Sequence, residues 1–86
     1  MFYTGTSRED AGERQTLCAS TSDDLMTWAK VEPAPVVAAD SRWYKTLSAG
    51  FTNEPFRDPW VCRLPGQTEW TMLTTAGAKD AAGREV

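Results

Sequence analysis

The ten residues NEPFRDPWVC, running from Asn53 to Cys62, contain two carboxylates, Glu54 and Asp58, and each stands immediately before a proline. Two carboxylates can divide acid and base work, as in glycoside cleavage, provided they sit about 5–5.5 Å apart in a retaining site or about 6.5–9.5 Å apart in an inverting one. An extended chain advances about 3.3 Å per residue, which puts Glu54 and Asp58 roughly 13 Å apart. Only a loop that bends back on itself would make them a pair. Asp58 by itself reads in two ways. It is either one half of an exposed ion pair with Arg57 at a turn, worth about 1 kcal/mol at most, or a carboxylate held at a fixed angle for chemistry. The second reading has physical support, because the residue before a proline is pushed out of the α region into an extended conformation. A neighbouring guanidinium also favours the ionised form, which only accepts hydrogen bonds. Phe56 and Trp60 flank the motif and would wall such a site.

Composition narrows the chemistry further. The 86 residues contain no histidine, which removes the usual zinc ligand set and any Ser-His or Cys-His catalytic pair. A hydrolase built from this chain would work with carboxylates and without metal or cofactor. A net charge of −3 leaves no basic footprint for nucleic acid. Glu9, Asp10, Glu13, Asp23 and Asp24 make the first third the most acidic part, as expected of solvated loops. No run of 18 apolar residues occurs, so no membrane-spanning helix is expected. MFYTGTSRED lacks the charged and apolar regions of a signal peptide, which leaves a cytoplasmic and a secreted location both open. Cys18 and Cys62 do not have metal-type spacing, and nothing in the sequence decides whether they pair. A chain this short buries only about 60–65% of its unfolded surface, so one modest core is the most it can build.

Strand signals dominate the elements that would carry these residues. FYTGTS and QTLCASTS flank a polar loop around Gly12 and read as neighbouring antiparallel strands. In SDDLMTW, the side chains of Ser22, Asp23 and Asp24 can bond the amides that follow, with Leu25 and Trp28 as anchors onto the sheet. Asp23 and Asp24 lack the further oxygen ligands of a calcium loop, so turn formation is their expected role. Pro33 and Pro35 confine AKVEPAPVV to an edge strand or a connector. Residues 38–56 show no period, apart from a helical turn around Trp43 to Leu47, and form a long loop of the kind that is usually functional or flexible. Trp43 and Tyr44 in that loop are either a sugar platform or a packing anchor. WVCRL, the PGQ turn and EWTMLTTAG form a hairpin, and residues 79–86 read as a loop cut short. Trp28 and Trp70, each late in a strand-turn-strand unit, are expected to be core or blade-packing residues. No helix long enough to cover a sheet is expected. The fold class is all-β, either a small β-sandwich or part of a radial array of sheets.

Taken in order, FYTGTS, the S-x-D-L-x-x-W turn at Ser22, Asp24, Leu25 and Trp28, and FRDP at Phe56 to Pro59 resemble glycoside hydrolase family 32, the sucrose and fructan hydrolases. The resemblance runs from about Phe2 to Ala78. It implies antiparallel strands forming one to two blades of a five-bladed β-propeller: a strand-turn-strand unit over 1–37, the long loop over 38–56, the Arg-Asp-Pro strand and its hairpin over 57–78, and a truncated loop over 79–86. It also implies a role for Asp58, since the Asp of this motif holds hydroxyls of the fructosyl ring and stabilises the transition state without acting as nucleophile or acid. Arg57, Trp60 and Trp43 would then contact a fructoside or fructan substrate. The family's nucleophile, in an Asn-Asp-Pro segment, and its acid/base, in a Glu-Cys pair, have no counterpart here. On this resemblance the chain is a fragment of an enzyme, inactive alone, whose partners are the remaining propeller blades or copies of itself. Two other functions fit the residues: a non-catalytic carbohydrate-binding β-module using Trp43, Tyr44 and Trp60, or a structural remnant of a propeller.

Overall fold

The computed structural model describes residues 1–84 and is all-β, with antiparallel strands in two small sheets. The first sheet has the order β1-β2-β3, with β1 at Phe2–Gly5, β2 at Thr16–Thr21 and β3 at Ala29–Lys30. The second is a hairpin of β4, Phe56–Cys62, and β5, Thr71–Ala76. A single 3-10 turn, Leu47–Ala49, interrupts the long loop, and no α-helix occurs among the described residues.

β2 is the strand around which the first sheet is organised. Tyr3 pairs with Cys18 and Gly5 with Thr16 on one side, and Ser20 pairs with Lys30 on the other. The proline segment then returns to β2, where the Val36 and Val37 amides donate to the Leu17 carbonyl and the Leu17 amide donates back to Val37. Enclosed in this way, β2 is buried on both faces along most of its length rather than alternating in and out. Gly5 is required where β1 crosses it, because a Cβ there would lie 2.6 Å from the Cys18 sulfur. Cys18 and Cys62 are both free thiols.

Little apolar material holds the plate together. Leu17, Ala19 and Phe56 are the buried hydrophobic residues, and β5 has no buried residue at all. A sandwich would bury the facing sides of both sheets, so that alternative lacks its interior. The chain is thin and wide, 46 × 38 × 17 Å, and its radius of gyration of 14.9 Å exceeds the roughly 12 Å of a compact domain of this length.

The two sheets are joined instead by a buried carboxylate. Glu54 is 4% exposed, and its side chain accepts hydrogen bonds from Arg14 Nε at 2.8 Å and from the Leu47 amide at 3.0 Å. Its backbone pairs with the segment leading into β2: the Glu54 amide donates to the Glu13 carbonyl, and the Glu54 carbonyl accepts from the Gln15 amide. One residue thus ties the start of β2, the 3-10 turn and the start of β4. The 3-10 turn is closed by its own cap, with Thr46 Oγ1 accepting from the Ala49 amide and Gly50 ending it at φ 92°. The helical turn lies at Leu47–Ala49, later than the Trp43–Leu47 expected from sequence, because this cap and Glu54 fix it there.

Two exposed carboxylates shape the loops. Asp24 accepts from the Thr27 and Met26 amides and, through Ser22, closes the SDDL turn as expected. These backbone hydrogen bonds, that from Thr27 foremost, hold its carboxyl below the ordinary range. Leu25, expected as an anchor, points outward at φ 62°, because the turn places it at the corner rather than over the sheet. Asp40 is gripped by the Arg42 guanidinium, with the closest contact at 2.7 Å, and this hydrogen bonding lowers its carboxyl to about 2.

Two predictions follow from these bonds. Replacing Glu54 with Ala strands the Leu47 amide and the Arg14 guanidinium, and lowers stability by about 1–3 kcal/mol in urea denaturation followed by circular dichroism. Arg14→Met costs at least as much, since it leaves the buried Glu54 carboxylate without its counter-ion. Asp40, its folded value depressed, contributes stability that is present above the ordinary 3.8 and is lost as pH falls from there through about 2. In Arg42→Gln its carboxyl titrates back towards 3.8, read from the Asp40 side-chain carbon by NMR.

Candidate functional site

Pro59 dictates the local shape of the Arg-Asp-Pro segment. A proline within a strand has no amide to give the ladder and is tolerated at edges and bulges. Here β4 bulges at that point. Arg57 pairs with Thr75 and Trp60 with Leu73, so Asp58 and Pro59 together face the single residue Thr74. Pro59 is locked near a φ of about −65°, and the rotation that fits the extra residue falls on Asp58. Its φ is +59°, in the left-handed region. The sequence rule for pre-proline residues predicts extended backbone; the bulge overrides it. Asp tolerates this region better than most residues because its short polar side chain crowds the backbone least. A non-glycine residue held there still costs of order 1–3 kcal/mol and persists only where its surroundings enforce it.

Three side chains from three different strands or their ends provide that enforcement. Thr4 in β1 accepts the Asp58 amide on its hydroxyl at 3.1 Å. Thr74 in β5 donates its hydroxyl to the Arg57 carbonyl at 2.8 Å. Gln15, just before β2, accepts on Oε1 from the Phe56 amide at 3.3 Å and from the Arg57 guanidinium at 3.2 Å. The peptide group that leads into Asp58 is therefore held at both its carbonyl and its amide, while the carboxylate itself is free of the interior, 77% exposed. Bulges of this kind recur beside active sites, where they re-aim a side chain.

Arg57 reaches Asp58 only at 3.9 Å, with both groups exposed to solvent. Such a contact is screened and contributes little, so the firmer hold on Arg57 is Gln15. Trp60 lies beyond the bulge on the same strand and is 70% exposed. Arg57, Asp58 and Trp60 are thus together on β4. Trp43 is apart from them, in a separate depression of about 490 Å³ shared with Arg42, Lys79 and Asp80. There it stands 64% exposed under the Arg42 guanidinium, and Lys79 donates to the Ser41 carbonyl to close the rim. Its neighbour Tyr44 takes the anchor role instead, edge-on to buried Phe56 with ring centres 6.2 Å apart.

Trp28 and Trp70, expected as core or blade-packing residues, are not in the core of this chain but exposed. Trp70 lies just outside β5 and is covered on one side only, by the Arg63 guanidinium 4.6 Å from its ring. The hairpin has no second layer against it, so its aromatic face meets solvent. Glu54 is consumed by Arg14 and the Leu47 amide and has no lone role in a dyad with Asp58. Thr4, Gln15 and Thr74 were not singled out from sequence. Thr and Gln are ordinary in and beside strands, and only the bulge gives them meaning. Among the described residues, no three His, Cys, Asp or Glu side chains group closely enough to hold a metal ion.

No curated protein and no solved structure matches the chain. A family model does, over residues 1–85, and it is that of the glycosyl hydrolases family 32 N-terminal domain, which is a β-propeller. That span takes in both sheets, the Glu54 junction and the Arg-Asp-Pro bulge, so the chain belongs to glycoside hydrolase family 32.

Proposed function

We propose that the chain forms one to two blades of a five-bladed fructosidase propeller, with Asp58 as the carboxylate that stabilises the transition state of fructosyl transfer to water. The observation that carries this reading is the backbone of Asp58, held in the left-handed region inside a bulge while its carboxylate stands exposed. Backbone strain of this kind clusters at functional sites, where it serves preorganisation.

The chemistry requires such a group. Cleavage of a glycosidic bond passes through an oxocarbenium-like transition state, and hydrogen bonds to ring hydroxyls that strengthen there contribute several kcal/mol. A carboxylate whose backbone is already fixed accepts those bonds without reorganising as the charge develops. Asp58 supplies the acceptor; Arg57, oriented by Gln15, supplies donors at the same rim; Trp60 offers an apolar face for the ring. Trp43, in its separate depression, would meet a longer fructan chain rather than the reacting ring. Nucleophile and acid/base come from elsewhere in the complete propeller, since residues 1–86 contain neither an Asn-Asp-Pro nor a Glu-Cys sequence.

In the complete enzyme, Asp58→Asn is expected to lower kcat on sucrose or levan by about 10²–10³, the loss typical of one preorganised transition-state contact. Circular dichroism of the variant stays unchanged, because the carboxylate makes no buried contact. Undiminished turnover would remove Asp58 from the site.

A further inference from the structure

The Asp58 backbone conformation is held partly from outside its own strand. The hairpin β4–β5 contributes the bulge and the Thr74 hydroxyl, which fixes the carbonyl before Asp58. The amide of Asp58 is taken by Thr4, a residue 54 positions earlier on β1 of the other sheet. Without that acceptor the amide would turn towards solvent, and the bulge alone would be left to oppose relaxation of Asp58 to the extended backbone that a pre-proline residue prefers. Relaxation would swing the Cα–Cβ bond and carry the carboxylate to a new direction.

We propose that Thr4 and Thr74 are positioning residues for the reaction, a pair of hydroxyls that clamp the single peptide group joining Arg57 to Asp58, one at its amide and one at its carbonyl, and so set the angle of the Asp58 carboxylate. Thr4 is the more specific member, because it transmits the placement of the first sheet to a residue of the second. Neither hydroxyl touches substrate; each acts through Asp58. The inference rests on the transition-state role proposed above for Asp58.

The test is a double-mutant cycle in the complete enzyme. Thr4→Val keeps the size and strand preference of the side chain and removes only the acceptor. It is expected to lower kcat and kcat/KM together by about ten- to a hundredfold, the effect of a misdirected catalytic group. Thr4→Ser, which keeps the hydroxyl, restores most of the rate. In an Asp58→Ala background, Thr4→Val has no further effect, since the group it positions is gone. Thr74→Val follows the same pattern with a smaller loss. A parallel readout on residues 1–86 is the one-bond Cα–Hα coupling of Asp58, which reports positive φ and shifts to the extended value in Thr4→Val.

The outcomes separate the two claims. Full activity of Asp58→Ala overturns the functional reading itself. Loss of activity in Asp58→Ala with normal activity in Thr4→Val, or with an equal loss from Thr4→Val in both backgrounds, overturns the positioning role alone. An unchanged Asp58 coupling in Thr4→Val overturns it as well, whatever the rate.

Discussion

The hydrogen-bonded pairing of Glu54 with residues 13–15 is the constraint on which the rest depends. It sets where β2 and β4 begin relative to each other, and everything downstream inherits that placement. The carboxylate closes the junction by accepting from Arg14 and from the 3-10 turn, so three stretches of chain meet at one buried group. Pro55 follows and has no amide to continue the pairing. The next donor, the Phe56 amide, is instead met by the Gln15 side chain, which also reaches the Arg57 guanidinium. Glu54 is therefore connected to the site not by sharing its chemistry but by placing Gln15, and through β1 also Thr4, against the Arg-Asp-Pro bulge.

Much of the fold was legible because strand signals are local. FYTGTS, QTLCASTS and the Trp60–Leu64 and Glu69–Gly77 runs announce their strands through β-branched and aromatic residues, and the Ser22–Asp24 turn is written in side chains that bond amides two and three residues on. The same local logic leaves the proline-rich segment an edge strand or a connector, and beyond β3 it runs as a connector back to Leu17. What could not be read is whatever depends on two distant segments meeting. Extended-chain distance separates Glu54 from Asp58, but no local signal names its true partner, Arg14, 40 residues away.

The site was legible in a similar, partial way. The candidate residues Arg57, Asp58 and Trp60 lie within four positions of one another, and one strand keeps them together. Their conformation was not legible. The pre-proline rule describes a residue with no neighbours, and it fails at Asp58 because Pro59 forces a bulge whose rotation Asp58 must absorb. The exposure of Trp28 and Trp70 has the opposite reason. Their packing was inferred from size and apolarity, but a large aromatic is buried only if a second layer exists to bury it, and this plate is one layer thick at the hairpin.

That thinness bears on how the molecule secures its geometry. An apolar core resists volume change but tolerates sliding and repacking, since the hydrophobic effect is non-directional. Hydrogen bonds fix angle as well as distance. Here the junction between the sheets is made of Glu54, Arg14, Gln15 and Thr4, with few buried apolar side chains near it. A carboxylate that must present its oxygens at a set angle gains more from a directional frame than from a larger greasy one. The exposed aromatics complete the same division of labour: the polar seam within residues 1–84 ties down the backbone at Asp58, and Trp60, Trp70 and Leu73 of the hairpin region stand exposed outside that frame.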